Sequence, residues 1–190
     1  MYVAMDAITV DLEFTPNPNS LKYVTSVTLL DKGVLSYAKS EDAEGKSNLA
    51  LDLFALDGVA GVMIGKNFVT VTLASQDRLT QVNDAIIGTI KNFLKAGKPV
   101  AEAAAFATAP TSSASTDVEK KIVEILDRDI RPAVAMDGGD ITFDRYQDGI
   151  VFLHMKGACA GCPSSTLTLK MGIENRLREA IPEIIEVVSV

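Results

Sequence analysis

A change of composition at residues 98–116 constrains this chain more than any other feature. The segment reads K-P-V-A-E-A-A-A-F-A-T-A-P-T-S-S-A-S-T, bracketed by Pro99 and Pro110 and closing on Ser and Thr. It has too little apolar bulk to anchor itself, although residues 101–106 have the composition of one helical turn. Structureless loops of this length are uncommon inside compact domains, so a flexible linker is expected, reaching about 60 Å when extended. A chain of 190 residues cut there leaves two pieces, 1–97 and 117–190, each the size of a small domain.

The first piece opens with Ile8, Val10, Leu12 and Phe14 alternating with Thr9, Asp11 and Glu13, the period of a half-buried strand. Pro16-Asn17-Pro18-Asn19 breaks it into a turn, and a second strand is expected over residues 23–30. Ser47 suits the cap of a short helix carrying Leu49, Leu53, Phe54 and Leu56 and stopped near Gly58. Residues 59–64 and 68–73 read as a hairpin around Gly65-Lys66-Asn67. Ser75 then caps a helix with Leu79, Val82, Ile86, Ile90 and Phe93 at helical spacing. Lys91 and Lys95 lie in its last turns and Gly97 just beyond, as the helix dipole and a left-handed cap prefer. The expected order is ββαββα.

In the second piece Thr116-Asp117-Val118-Glu119 has capping-box spacing and opens a helix with Val118, Ile122, Ile125 and Leu126 on one face. Pro132 is expected to end or kink it. Asp137-Gly138-Gly139-Asp140 turns into a strand over 141–145, and Gln147-Asp148-Gly149 closes a hairpin into 150–155. A helix over 163–180 follows, with Leu167, Leu169, Met171, Ile173 and Leu177 as its apolar stripe. Pro182 stops it before a last strand at 184–190. The order αββαβ differs from the first piece, and no internal repeat is visible. The fold class is α+β, in two different small domains.

The formal charge of −7 disfavours nucleic acid or an anionic membrane as partner, since both call for basic patches. No apolar run approaches the ~20 residues of a membrane span. Residues 1–6 show no basic or apolar leader, and the first Lys is Lys22. With a thiol pair that needs a reducing compartment, a cytoplasmic home is expected.

The chain has two cysteines, three apart, in Gly157-Ala158-Cys159-Ala160-Gly161-Cys162-Pro163. Pro163 suits the first position of a helix, because its missing N–H costs nothing there. The positive end of that helix, with Lys156 nearby, is expected to favour thiolate over thiol and to leave the pair exposed. Such a C-x-x-C suits a metal or cluster, a dithiol redox pair, or two inert cysteines. The β-hairpin before it is unlike a thioredoxin-type βαβ unit. Two thiolates are half of what an iron–sulfur cluster or a structural zinc takes. The rest must come from a second copy, a partner or a small thiol. Two copies of the loop face to face supply the four thiolates of a 4Fe–4S cluster, and such a contact sits naturally on a two-fold axis.

The other candidates read more simply as structure. His154, the one His, falls within a strand. Asp137 and Asp140 flank a turn, Ser164, Ser165 and Thr166 suit a helix start with no base in reach, and Glu41, Asp42 and Glu44 form a solvated loop. No catalytic residue is found.

Arg131-Pro132, Asp137-Gly138-Gly139-Asp140, residues 157–168 and Ile181-Pro182-Glu183 resemble the C-terminal domain of NifU and the Nfu proteins. Residues 14–23, 47–56 and Gly58-Val59 resemble the N-terminal domain of Nfu-type scaffolds. The resemblance covers nearly the whole chain apart from the linker. It implies a non-enzymatic scaffold or carrier in which Cys159 and Cys162 hold a 4Fe–4S cluster between two chains, a 2Fe–2S form being possible. It further implies a homodimer on cluster binding, supply by an upstream assembly scaffold, and delivery to apo iron–sulfur proteins. The N-terminal domain would recognise partners and hold no cluster ligand. The separate assembly and ferredoxin-like domains of full NifU have no counterpart here, which favours carriage over cluster building.

Overall fold

The computed structural model describes residues 8–31, 33–102, 105, 116–160 and 163–190, without the side chains of 163–166. They fall into two compact units, 1–109 and 110–190. The head of the expected linker is not a free tether. Val100 and Ala105 are buried in the first unit's core. Ser47 Oγ donates to the Val100 carbonyl at 2.7 Å, and the Glu102 N–H donates to the Lys46 carbonyl at 2.8 Å. A segment poor in bulk is held because its backbone groups find partners on the unit it leaves. Residues 106–115 lie outside the described residues.

The first unit is an antiparallel sheet packed on helices. Its elements are β1 (Val10–Phe14), β2 (Ser20–Thr25), β3 (Leu35–Tyr37), α1 (Ser40–Ala43), α2 (Asn48–Phe54), β4 (Val59–Ile64), β5 (Phe68–Leu73) and α3 (Leu79–Lys95), the last preceded by a 3-10 turn at Gln76–Arg78. The strand order is β1-β2-β5-β4-β3. The second strand is shifted from the expected 23–30. The Ser20 N–H donates to the Asn17 carbonyl as the strand begins, whereas Leu29 has already left it to donate to the Lys66 carbonyl. β3 and α1, of three and four residues, are too short to show a period. Ser47 caps α2 as predicted, accepting from the Ala50 N–H. Ser75 instead caps the 3-10 turn ahead of α3, accepting from the Asp77 N–H, and α3 itself starts after Arg78 without a side-chain cap. Gly97 takes the left-handed φ of +65° beyond α3. Leu49, Leu53, Ile86 and Ile90 of the helices bury against Tyr23 and Val71 of the sheet.

The second unit positions the cysteine loop. α4 (Asp117–Ile125) opens with the expected capping box, Thr116 Oγ1 accepting from the Glu119 N–H while Glu119 Oε2 accepts from the Thr116 N–H. Pro132 does not end the helical path. The helix widens into a π turn at Leu126–Ile130 and re-forms as α5 (Arg131–Met136). Pro132 then stands in a first turn, where its missing N–H leaves no bond unmade. β6 (Gly139–Gln147) and β7 (Ile150–Gly157) form an antiparallel hairpin. Its tip, Asp148 and Gly149, has φ of +52° and +82°, the pair of left-handed residues that a tight hairpin turn needs. α6 (Pro163–Ala180) crosses back, and β8 (Glu186–Ser189) adds to β7 in parallel, giving the order β6-β7-β8. Ile122, Leu126, Ile141, Leu153, Ile173 and Leu177 make a separate core.

Along α6 the expected apolar stripe divides. Ile173 and Leu177 are buried and Leu169 is partly so, but Leu167 and Met171 are exposed. The core-facing side is narrower than the run of apolar residues. Among the described residues no helix is long and apolar enough to cross a membrane.

Candidate metal centre

The loop springs from the open end of the β6–β7 hairpin, where Gly139 pairs with Gly157. Gly138, at φ +76°, ends α5, its N–H donating to the Ala135 carbonyl. Its own carbonyl accepts from the Ala158 N–H at 3.1 Å, tying the loop to the end of α5. Gly157, at φ +62°, turns the chain out of β7, and the Ala160 N–H closes back on the Gly157 carbonyl at 3.0 Å. Cys159 occupies this turn. Pro163 is the first residue of α6, as its position predicts. Gly161 and Cys162 lie outside the described residues, as do the side chains of Ser164, Ser165 and Thr166.

Cys159 is 7% exposed and belongs to the second unit's core. This corrects the expectation of an exposed thiolate stabilised by the helix end. Burial pushes the thiol up to about 12, and the carboxylates of Asp137 and Asp140 add to the shift. Taking a thiolate out of water is costly, so the neutral thiol is favoured. Cys159 itself is poorly suited to attack a disulfide, which needs a ready thiolate at neutral pH. It suits metal capture better, because a coordinating metal itself drives off the thiol proton.

The seat of Cys159 is position 139. A Cβ built there would stand 2.2 Å from Cys159 Sγ and 3.2 Å from its Cβ and backbone N. The two glycines of Asp137-Gly138-Gly139-Asp140 therefore do different work. Gly138 supplies the left-handed cap and Gly139 supplies the room. Sequence reasoning finds the helix stop and misses the seat, although one glycine suffices for a stop and the second was the available signal.

Asp140 is braced rather than open to a metal. It is buried, and Arg131 grips it with Nε to Oδ1 at 2.8 Å and Nη2 to Oδ2 at 3.2 Å. Arg131 Nη1 also reaches Asp127 Oδ1 at 2.8 Å, so the π turn, the start of α5 and the start of β6 are tied at one guanidinium. His154 is about half exposed on β7, its Nδ1 3.2 Å from the Val190 carbonyl and its Nε2 3.4 Å from Asp144. Among the described residues no three His, Cys, Asp or Glu side chains are grouped to hold a metal ion. Cys159 is thus the one described candidate ligand, with Cys162 its partner in sequence.

Comparison with known proteins covers both units. The family model described as "Scaffold protein Nfu/NifU N terminal" matches residues 10–97, and that described as "NifU-like domain" matches residues 122–188. The human protein named "NFU1 iron-sulfur cluster scaffold homolog, mitochondrial" is 37% identical over 171 residues, covering 90% of this chain and 67% of its own length. Proteins of the same name from Drosophila persimilis and Drosophila virilis are 39% and 40% identical over 172 residues, covering 90% of this chain and 61% and 57% of their own lengths. The chain thus spans between 57% and 67% of the length of these relatives. Their names overturn the cytoplasmic expectation, for each is called mitochondrial. The argument from reduced thiols holds for any reducing compartment and had no power to select the cytoplasm.

Proposed function

This chain belongs to the Nfu/NifU family, and on that premise we propose that it is an iron–sulfur cluster scaffold and carrier. It holds a 4Fe–4S cluster between two chains through Cys159 and Cys162 of each and passes it to apo-proteins, without catalysing a reaction. A 2Fe–2S cluster would use the same four thiolates. The observation that carries this reading is the shortage of ligands. The whole chain has two cysteines, and among the described residues no group of three possible ligands gathers around Cys159. Four thiolates must draw two from outside the chain, and a homodimer formed on cluster binding supplies them. The relatives' names add the scaffold role and the mitochondrial setting.

Cargo held at an interface is held reversibly. Opening the contact halves the ligand set, and an acceptor's own thiolates can then exchange in. The emptied chain has a place for one ligand to return, since Cys159 fits against Gly139 within the core. An upstream assembly scaffold and apo iron–sulfur acceptors are the expected partners, with the first unit, which has no cysteine, free to recognise them.

Anaerobic reconstitution tests the proposal. It should yield a brown dimer with about four iron and four sulfide per two chains, lost in Cys159→Ser or Cys162→Ser. The reconstituted protein should then activate an apo-4Fe–4S enzyme in the presence of a chelator that traps free iron. A colourless protein with no bound iron would overturn the reading.

A further inference from the structure

A cluster shared between two chains needs its thiolates at the surface of each. Cys159 lies instead inside its own unit, 7% exposed, in the same core as Ile141 and Ile173. Its Sγ fills the space that a Cβ at position 139 would take, 2.2 Å from that point. Gly139 opens β6 outside the left-handed region, so what it supplies is room and not a special backbone angle. The chain just before the sulfur is pinned. Ala158 is 2% exposed, and its N–H donates to the Gly138 carbonyl at 3.1 Å. Cys159 itself lies in the turn that the Ala160 N–H closes on the Gly157 carbonyl at 3.0 Å. The sulfur can leave its seat by changing its side-chain rotamer, or by moving with that turn, while Gly139 and Gly157 stay paired.

We infer that the metal-free chain stows Cys159 against Gly139, and that this seat competes with the cluster for the sulfur. The inference rests on the cluster-sharing reading above and adds how the cargo is let go. Loading draws Cys159 out of the core. The cluster therefore binds the unseated fraction of chains, and its apparent affinity is reduced by that fraction. Unloading runs the other way. An acceptor thiol gives up its proton and takes the position on iron that Cys159 leaves, while Cys159 takes up a proton as it re-enters the core. No electron moves. A seated sulfur must be drawn out again before it can rebind, so each exchange is carried forward. A site made only for tight holding would keep its sulfur preorganised at the surface.

The test compares full-length wild type with Gly139→Ala, each metal-free and reconstituted, under anaerobic reducing conditions. The added methyl blocks the seat. The metal-free variant should therefore melt below metal-free wild type, while the two reconstituted proteins melt alike. With no seat to return to, the reconstituted variant should lose its cluster to excess chelator at least about tenfold more slowly than wild type. Cys159→Ala guards against a variant that folds poorly. In metal-free chains carrying it, Gly139→Ala should cost much less, because the sulfur that the methyl displaces is gone. Three results would each overturn the inference while leaving cluster sharing intact: equal lowering of both forms, cluster loss at the wild-type rate or faster, or a Gly139→Ala cost that Cys159→Ala leaves unchanged. A wild-type chain that takes up no iron and sulfide would instead sink the cluster-sharing reading on which the inference stands.

Discussion

One methyl group at position 139 would reach into the seat of Cys159. Gly139→Ala places a carbon 2.2 Å from the sulfur, and overpacking of this kind costs about 1–3 kcal/mol. We expect a lower unfolding temperature and faster alkylation of Cys159 in the metal-free chain. An unchanged melting curve and alkylation rate would show that no such seat exists. The thiol itself gives a pH test. Its value is raised from 9.0 to about 12 by burial, so the folded state favours the neutral form. The resulting stability is complete below about pH 9 and is lost as pH rises toward about 12. In metal-free Cys162→Ser, the alkylation rate should still climb about tenfold per unit above pH 9.5, where an ordinary thiol levels off. A plateau near that pH would refute the burial argument. The cysteine pair and the helix start behind it were legible as residues in a row. The burial was not, because it depends on β6 and β7 bringing Gly139 to Gly157, which no local pattern encodes.

At the level of elements, the π turn sets Arg131 to reach Asp127 behind it and Asp140 ahead of it. Asp140→Asn should cost about 2–3 kcal/mol, since it removes one charge of a largely buried pair and leaves the guanidinium half matched. Chemical denaturation reads this directly, and a change under 0.5 kcal/mol, the scale of an ordinary surface substitution, would reduce the brace to a surface ion pair. Elements with strong local signals were readable. Thr116 and Glu119 announced α4, Asp148-Gly149 announced a hairpin, and the 59–64 and 68–73 strands fell where alternation and Gly65 put them. Others were not. β3 is only three residues long, and Pro132 carries the same letter whether it breaks a helix or begins a new turn after a π turn. The head of the linker looked free because its anchors, the Val100 and Glu102 backbone groups, carry no side-chain signature.

For the whole molecule, the two cores share no residue. Ile122 is fully buried in the second, and Ile122→Ala should cost about 2–5 kcal/mol there. Scanning calorimetry should show one transition moving down while the other stays, and a joint shift would mean the units unfold as one. The division into two units was legible from residues 98–116, and with it the α+β class. The compartment was not, because a reduced thiol pair suits any reducing compartment. Within the second unit, β8 lies beside β7 in parallel, so the sheet is unfinished until residue 189 is in place. The first unit has its last described core residue at Ala105. During synthesis the ribosome therefore releases the first unit as a foldable body well before the second. Cys159 belongs to the core of that second unit, so its burial waits on the part of the chain completed last.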